Sequence, residues 1–138
     1  MGHPGAPANP YRIGEAAALL GVSADTMRRW VDAGRVVAER DEHGHRIIPG
    51  ARLAAFAREL ARPETAAAEG RPSSARNRFP GIVTAVMLGD VAAQVEIQAG
   101  PFRVVSLISR ESAEELELVP GAPATAVIKS TNVMIERR

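Results

Sequence analysis

Through the first 60 residues the apolar positions recur at helical spacing, and beyond residue 80 they alternate. In residues 14 to 20, Ala16, Leu19 and Leu20 fall on one helical face, and Gly21 supplies a stop. Ser23 is placed to cap a second helix, in which Met27, Trp30 and Val31 share one face. Asp25, Arg28, Arg29 and Asp32 follow the i, i+3, i+4, i+7 spacing on the opposite face. Gly34 ends that helix. Residues 36 to 39 and 46 to 48 read as short strands around the polar turn Asp41-Glu42-His43-Gly44-His45. A third helix is expected to bury Leu53, Phe56 and Leu60.

The second half has the period of a sheet. Strands are predicted over residues 82 to 87, 91 to 97, 102 to 108, 124 to 128 and 133 to 136, with Val91, Ala93, Val95 and Ile97 on one face. Leu88-Gly89-Asp90 and Pro120-Gly121 supply turns, and Ser109 is placed to cap a short helix over residues 110 to 118. Residues 133 to 136 are expected to close the sheet, giving a small closed, OB-like β-barrel. The chain thus reads as an α+β two-domain protein. Its expected parts are a flexible tail (1–10), a winged helix-turn-helix domain (11–61), a linker (62–72) bounded by Pro63 and Pro72, and an OB-like domain (73–138).

Composition narrows the classes. With 46% hydrophobic and 24% charged residues the chain has the balance of a soluble globular protein, and no apolar run approaches the roughly 20 residues that cross a bilayer. Two domains in 138 residues would each be small, and small domains gain from partner subunits. The first ten residues lack the apolar core of a signal peptide, so a cytoplasmic location is expected. There is no cysteine, which removes disulfides and thiolate chemistry. Seventeen basic residues against sixteen acidic ones leave a net charge of +1. Any contact with nucleic acid must therefore be local. Lys129 is the only lysine among those basic residues. No nucleophile and base pair, metal cluster or nucleotide-binding glycine loop is evident, so an enzyme is not expected. His43 and His45 flank Gly44 in the polar turn, with no third or fourth ligand for a metal in sight.

Two segments carry family resemblances. Residues 11 to 17 (Tyr-Arg-Ile-Gly-Glu-Ala-Ala), Leu20-Gly21-Val22-Ser23, residues 26 to 30 (Thr-Met-Arg-Arg-Trp) and Gly34-Arg35 resemble the DNA-binding domain of the MerR and excisionase group. The resemblance implies a second helix in the major groove of double-stranded DNA and a wing on its backbone. It places Thr26, Arg28 and Arg29 near DNA, and Arg40 and Arg46 on or near phosphates. Against it stand the acidic Asp41 and Glu42 in the wing and a charge of only +2 over residues 1–62, from nine Arg and seven Asp and Glu. Asp25 with Arg29 and Arg28 with Asp32 also have the i, i+4 spacing of ordinary helix-surface pairs.

The second resemblance covers nearly all of residues 73 to 138. Ser73-Ser74-Ala75-Arg76-Asn77, Gly81-Ile82-Val83, residues 108 to 112, Leu116, Leu118, Pro120-Gly121 and residues 128 to 134 resemble the TOBE or Mop (molybdenum-pterin-binding) family. Its implied ligand is molybdate or tungstate, a tetrahedral dianion that only accepts hydrogen bonds at neutral pH. Such a site needs cations and many donors. The family's oxyanion role falls on Ser74, Arg76, Ser109, Ser112, Lys129 and Ser130, with Asn77 and Asn132 in support. Residues 74 to 77, 129 to 133 and the helix start at Ser109 are expected as three walls of one pocket, at an interface between subunits of a homo-oligomer. Together the two halves imply a molybdate-responsive DNA-binding transcription regulator. The alternative is an intracellular molybdate-binding or storage protein whose helical part serves assembly or docking.

Overall fold

The computed structural model describes residues 9–61 and 72–138. The chain divides into two compact units, residues 1–63 and 64–138. The expected linker, but for Pro72, and the expected tail, but for its last two residues, lie outside the described residues.

The first unit begins with β1 (Tyr11–Arg12), which runs directly into α1 (Ile13–Leu20). Glu15 starts the helix by accepting the Arg12 amide at 3.1 Å, half of a capping box. Gly21 ends it in the left-handed conformation, φ +69°, and the amides of Gly21 and Val22 close on the carbonyls of Ala18 and Ala17. The buried face is Ile13, Ala16 and Ala17, whereas Leu19 is exposed. Ile13, Ala16, Ala17 and the partly buried Leu20 form one i, i+3, i+4, i+7 stripe, which leaves Leu19 outside it; α2 (Ala24–Asp32) follows.

Ser23 caps α2 as its position predicts, its hydroxyl accepting the Thr26 amide at 3.1 Å. Met27 is fully buried, and Trp30 meets Phe56 edge-on at 5.2 Å between ring centres. The wing is β2 (Glu39–Arg40) and β3 (Arg46–Ile48), with β1 on the far side of β3. The strand expected from residue 36 begins only at Glu39. Val36 is instead a buried core residue on the loop from α2. Helix α3 (Gly50–Leu60) completes the core with Leu53 and Phe56, and Leu60 packs at its margin.

The second unit is one antiparallel sheet in the order β6-β5-β4-β7. Its strands are β4 (Asn77–Leu88), β5 (Ala92–Ala99), β6 (Phe102–Ser109) and β7 (Pro123–Ile128). Strand β4 serves two partners: residues 77–82 pair with β7 and residues 82–88 with β5. Between the two halves lies Gly81, where a Cβ would sit 2.2 Å from the Gln98 carbonyl oxygen. No side chain fits there, so the glycine permits the close approach on which the curl of the sheet depends. A register shift between Val83 and Ala85 adds to the bend.

The sheet curls into a half-barrel around Val83, Val95 and Ile97. Ala93, Val95, Ile97 and Ala99 are buried, but Val91 falls outside β5 and is exposed. Helix α4 (Arg110–Glu115) is shorter than the expected 110–118, because Glu117 takes a left-handed φ of +52° and turns the chain. After β7 the chain makes a single 3-10 turn over Ser130–Asn132 and then leaves the sheet. The closing strand expected over residues 133–136 is absent, and the half-barrel stays open between β6 and β7.

Candidate functional site

Pairing of β4 with β7 puts Asn77 opposite Ile128. The Asn77 side-chain amide then donates to the Ile128 carbonyl at 3.2 Å. Two segments some 50 residues apart in the sequence are thereby laid side by side, Ser74 to Arg76 next to Lys129 and Ser130. Asn77 is the clamp between them. The Ser73 hydroxyl accepts the Ala75 amide at 3.1 Å, and the Arg76 guanidinium donates to the carbonyls of Ser73 (3.0 Å) and Ala75 (3.3 Å). Both bonds use one guanidinium nitrogen, so the charge and the other donors of Arg76 remain available. Lys129 begins the 3-10 turn, its carbonyl accepting the Asn132 amide at 2.9 Å, and its ammonium makes no ion pair among the described residues.

Ser109 and Ser112 stand apart from these two segments. Ser109 caps α4, accepting the Ser112 amide at 3.0 Å, and its hydroxyl donates to the Ser112 hydroxyl at 2.8 Å. Ser109 pairs with Ala92, beside the turn that joins β4 to β5. Among the described residues no hydrogen bond or ion pair joins this group to Arg76 or Lys129. The segments around residues 74–77 and 128–130 are therefore adjacent within one chain, and the Ser109–Ser112 group is held by a different part of the sheet. Ser109 has spent its hydroxyl hydrogen on Ser112, which leaves the Ser112 hydroxyl as the free donor of the pair. All the site residues except Ser112 are exposed, and no polar side chain is buried among the described residues. In one chain such a donor set would share its ligand with water, which weakens each charge-assisted bond.

On the first unit, the arginines expected to face DNA are largely engaged internally. Arg28 pairs with Asp25 at 2.6 Å, one turn back, and Arg46 of the wing pairs with Asp32 of α2 at 2.6 Å. The anticipated i, i+4 pairs do not form, because Asp32 reaches across to the wing and Arg29 donates to the Thr26 hydroxyl at 3.3 Å. Arg40 closes the wing turn on the Gly44 carbonyl at 2.7 Å. Of the five expected contact residues, Arg29 and Arg40 are the cations with no carboxylate partner among the described residues.

The acidic turn resolves differently from its sequence impression. The Asp41 carboxylate points into the turn and accepts the amides of His43 and His45, each at 2.9 Å. The His45 amide holds the Asp41 carboxyl below the usual aspartate value; desolvation opposes it, and the His43 amide and the nearby charges of His45 and Arg12 add to the lowering. Sequence reasoning missed Arg35, whose guanidinium lies over the rings of Trp30 (5.4 Å) and Phe56 (5.5 Å). The pairing of Trp30 with an arginine just past Gly34 was the available clue.

Residues 73–135 match the TOBE domain family, and residues 12–48 match the MerR family of regulatory proteins. Molybdenum-pterin-binding protein 3 of Clostridium pasteurianum is 51% identical over 63 residues, 45% of this chain and 93% of that protein. Molybdenum-pterin-binding protein MopA of Rhodobacter capsulatus is 35% identical over 103 residues, 72% of this chain and 38% of MopA. Among solved structures, the cytoplasmic molybdate-binding protein ModG in a molybdate-bound form has 38% identity over 49% of this chain and 48% of ModG, with a TM-score of 0.46. The second unit is thus a TOBE domain. Through it the chain belongs to the molybdenum-pterin-binding, or Mop, family.

Proposed function

We propose that this chain binds molybdate or tungstate through its TOBE unit and DNA through its winged helix-turn-helix unit, as a cytoplasmic, molybdate-responsive transcription regulator. The observation that carries the anion half is the Asn77–Ile128 clamp, which sets Arg76 and Lys129 on neighbouring segments. Two cations with serine hydroxyls and few acceptors suit a dianion that cannot donate. Ser74, Arg76, Lys129 and Ser130 are the donors from one chain. Ser109 and Ser112 complete the set at an interface in a homo-oligomer, where burial would strengthen every bond. The role is binding and not catalysis, in keeping with the names of the relatives.

Calorimetric titration tests the anion half. Molybdate and tungstate should bind tightly and sulfate weakly, and Lys129→Ala or Arg76→Ala should each lower molybdate affinity by about tenfold or more, the loss of one charge-assisted bond. Equal affinity for sulfate would sink the assignment.

The DNA half rests on Thr26, Arg28, Arg29, Arg40 and Arg46 on and beside α2 and the wing. A gel shift on random and upstream DNA, with and without molybdate, tests it. The Arg28–Asp25 and Arg46–Asp32 pairs favour a second reading, a molybdate-binding or storage protein that needs no DNA. Absence of any shift at low salt would select that reading.

A further inference from the structure

Helix α2 carries two arginines and two aspartates, so its polar face has no net charge. Such a face draws little from phosphate attraction, which grows with the cations brought to the backbone. What it offers instead lies in how the charges are arranged. Arg28 donates through Nη1 alone to the Asp25 carboxylate, at 2.6 Å. Arg29 reaches back in the same direction, to the Thr26 hydroxyl at 3.3 Å. Both guanidinium groups are thereby drawn one turn toward the helix start, and a recognition helix meets base edges with its N-terminal residues.

The arginines are held by different kinds of partner. Arg29, on a neutral hydroxyl, keeps its whole charge, as does Arg40 on the Gly44 carbonyl. These two suit phosphates. Arg28 is neutralised by Asp25, and with side chains 53% and 85% exposed the pair adds little to the stability of the free chain. The Nε and Nη2 hydrogens of Arg28 have no acceptor among the described residues. Two parallel donors in that fixed fork match O6 and N7 of guanine in the major groove, where no other base presents two acceptors. The Asp25 carboxylate repels phosphates, which keeps Arg28 from turning to the backbone.

We propose that Arg28 reads a guanine, and that Asp25 is the positioning residue that holds the fork of Arg28 toward the base and away from the backbone. This rests on the DNA half of the function proposed above, which it deepens by naming the base. A free arginine has more rotamer freedom to lose on binding than almost any other side chain, and the bond to Asp25 has already removed part of it. In the groove, where water is displaced, the attraction within the pair is stronger than in the free chain. The polar face then has two jobs. Arg29 and Arg40 supply affinity for any duplex, and the neutral Asp25–Arg28 pair supplies sequence preference.

The test uses the full chain and a randomised duplex library, with selected and random duplexes then titrated by fluorescence anisotropy. Wild type at low salt should enrich a guanine at one position, preferred over the other bases by about tenfold, as one bidentate contact allows. Asp25→Ala keeps Arg28 yet should lose most of that preference. Its affinity for random duplex should also fall more steeply with salt, by about one in the slope of log K against log salt per chain, because the freed arginine takes a phosphate. The double variant Asp25→Ala/Arg28→Ala should lose the preference at wild-type slope, since what it removes is neutral. An unchanged circular dichroism spectrum verifies the fold of both variants. No guanine preference in wild type, or wild-type preference and slope in Asp25→Ala, overturns the inference and leaves DNA binding standing. A wild type that retains no duplex at low salt strikes the DNA half of the proposed function, and the inference falls with it.

Discussion

Replacing Gly81 by alanine should cost the TOBE unit several times what one added methyl costs at an open position. The added Cβ would stand 2.2 Å from the Gln98 carbonyl oxygen, 2.8 Å from its carbon and 2.9 Å from the Ile97 side chain. A carbon and a carbonyl oxygen rest at about 3.3 Å or more, so the two strands must part by roughly 1 Å. The neighbouring pairs Ile82 with Gln98 and Val83 with Ile97 are the first of the β4–β5 ladder. Loss of one or two ladder hydrogen bonds, at about 1 kcal/mol each, adds to an overpacking cost of about 1–3 kcal/mol. Alanine returns about 0.4–1 kcal/mol by restricting the unfolded chain. The net destabilisation is then roughly 2–4 kcal/mol, or about 10–25 °C in the melting temperature of a domain this small. Calorimetric melting of the full chain reads it, with the transition of the first unit as internal reference. A second-unit transition within about 3 °C of wild type would show that Gly81 is not the hinge of the curl.

Other perturbations test the first unit. Gly14→Ala is the converse of the Gly81 change: nothing lies within 4 Å of the added Cβ, so α1 should gain about 0.5–1 kcal/mol, and a loss of stability on denaturant unfolding would contradict this. Ser23→Ala removes the cap on the Thr26 amide and should cost about 1 kcal/mol, whereas Ser23→Asp should restore most of it. The Asp41 carboxyl is held below the ordinary value of about 3.9, so its support of the wing turn should be complete above that pH and fade as the pH falls through the lower folded value. NMR titration of the His43 and His45 amides reads this directly, and a midpoint at or above the ordinary value would refute it.

Much of the fold was legible because local chemistry and tertiary context agree. Ser23, Gly21 and the apolar face of α2 each carry their instruction within one turn of helix. Leu19 is read as core by its hydrophobicity, but the face that α1 turns inward is Ile13, Ala16, Ala17 and Leu20, a stripe that leaves Leu19 outside it. The other misses share a cause: the deciding partner lies elsewhere in the sequence. The pattern on α2 pairs Arg28 with Asp32, but the wing brings Arg46 to Asp32 and leaves Arg28 to Asp25. The alternation places the start of the strand at Ile82, whereas β4 begins at Asn77. Pro80 is tolerated because that half of β4 pairs with β7 alone.

The candidate site follows the same division. The choice of candidate residue types rests on what the proposed dianion would demand, cations and hydroxyls, whatever the fold. Their assembly was not legible, because it depends on one long-range register. With Asn77 opposite Ile128, Arg76 and Lys129 become neighbours. A one-residue slip would flip the side chains of β7 to the other face and part the two segments. Asn77 therefore has a role beyond that of any single donor: its side-chain bond to the Ile128 carbonyl reinforces the register from which the charge pair is built. Asn77→Ala keeps both cations. It should nonetheless weaken molybdate binding by roughly fivefold, the worth of one part-buried hydrogen bond of about 1 kcal/mol, while Asn77→Asp, which cannot donate and adds an anionic charge beside the site, should weaken it further. Calorimetric titration of both variants separates the clamp from the charges. Wild-type affinity in Asn77→Ala would mean that backbone pairing alone holds the register.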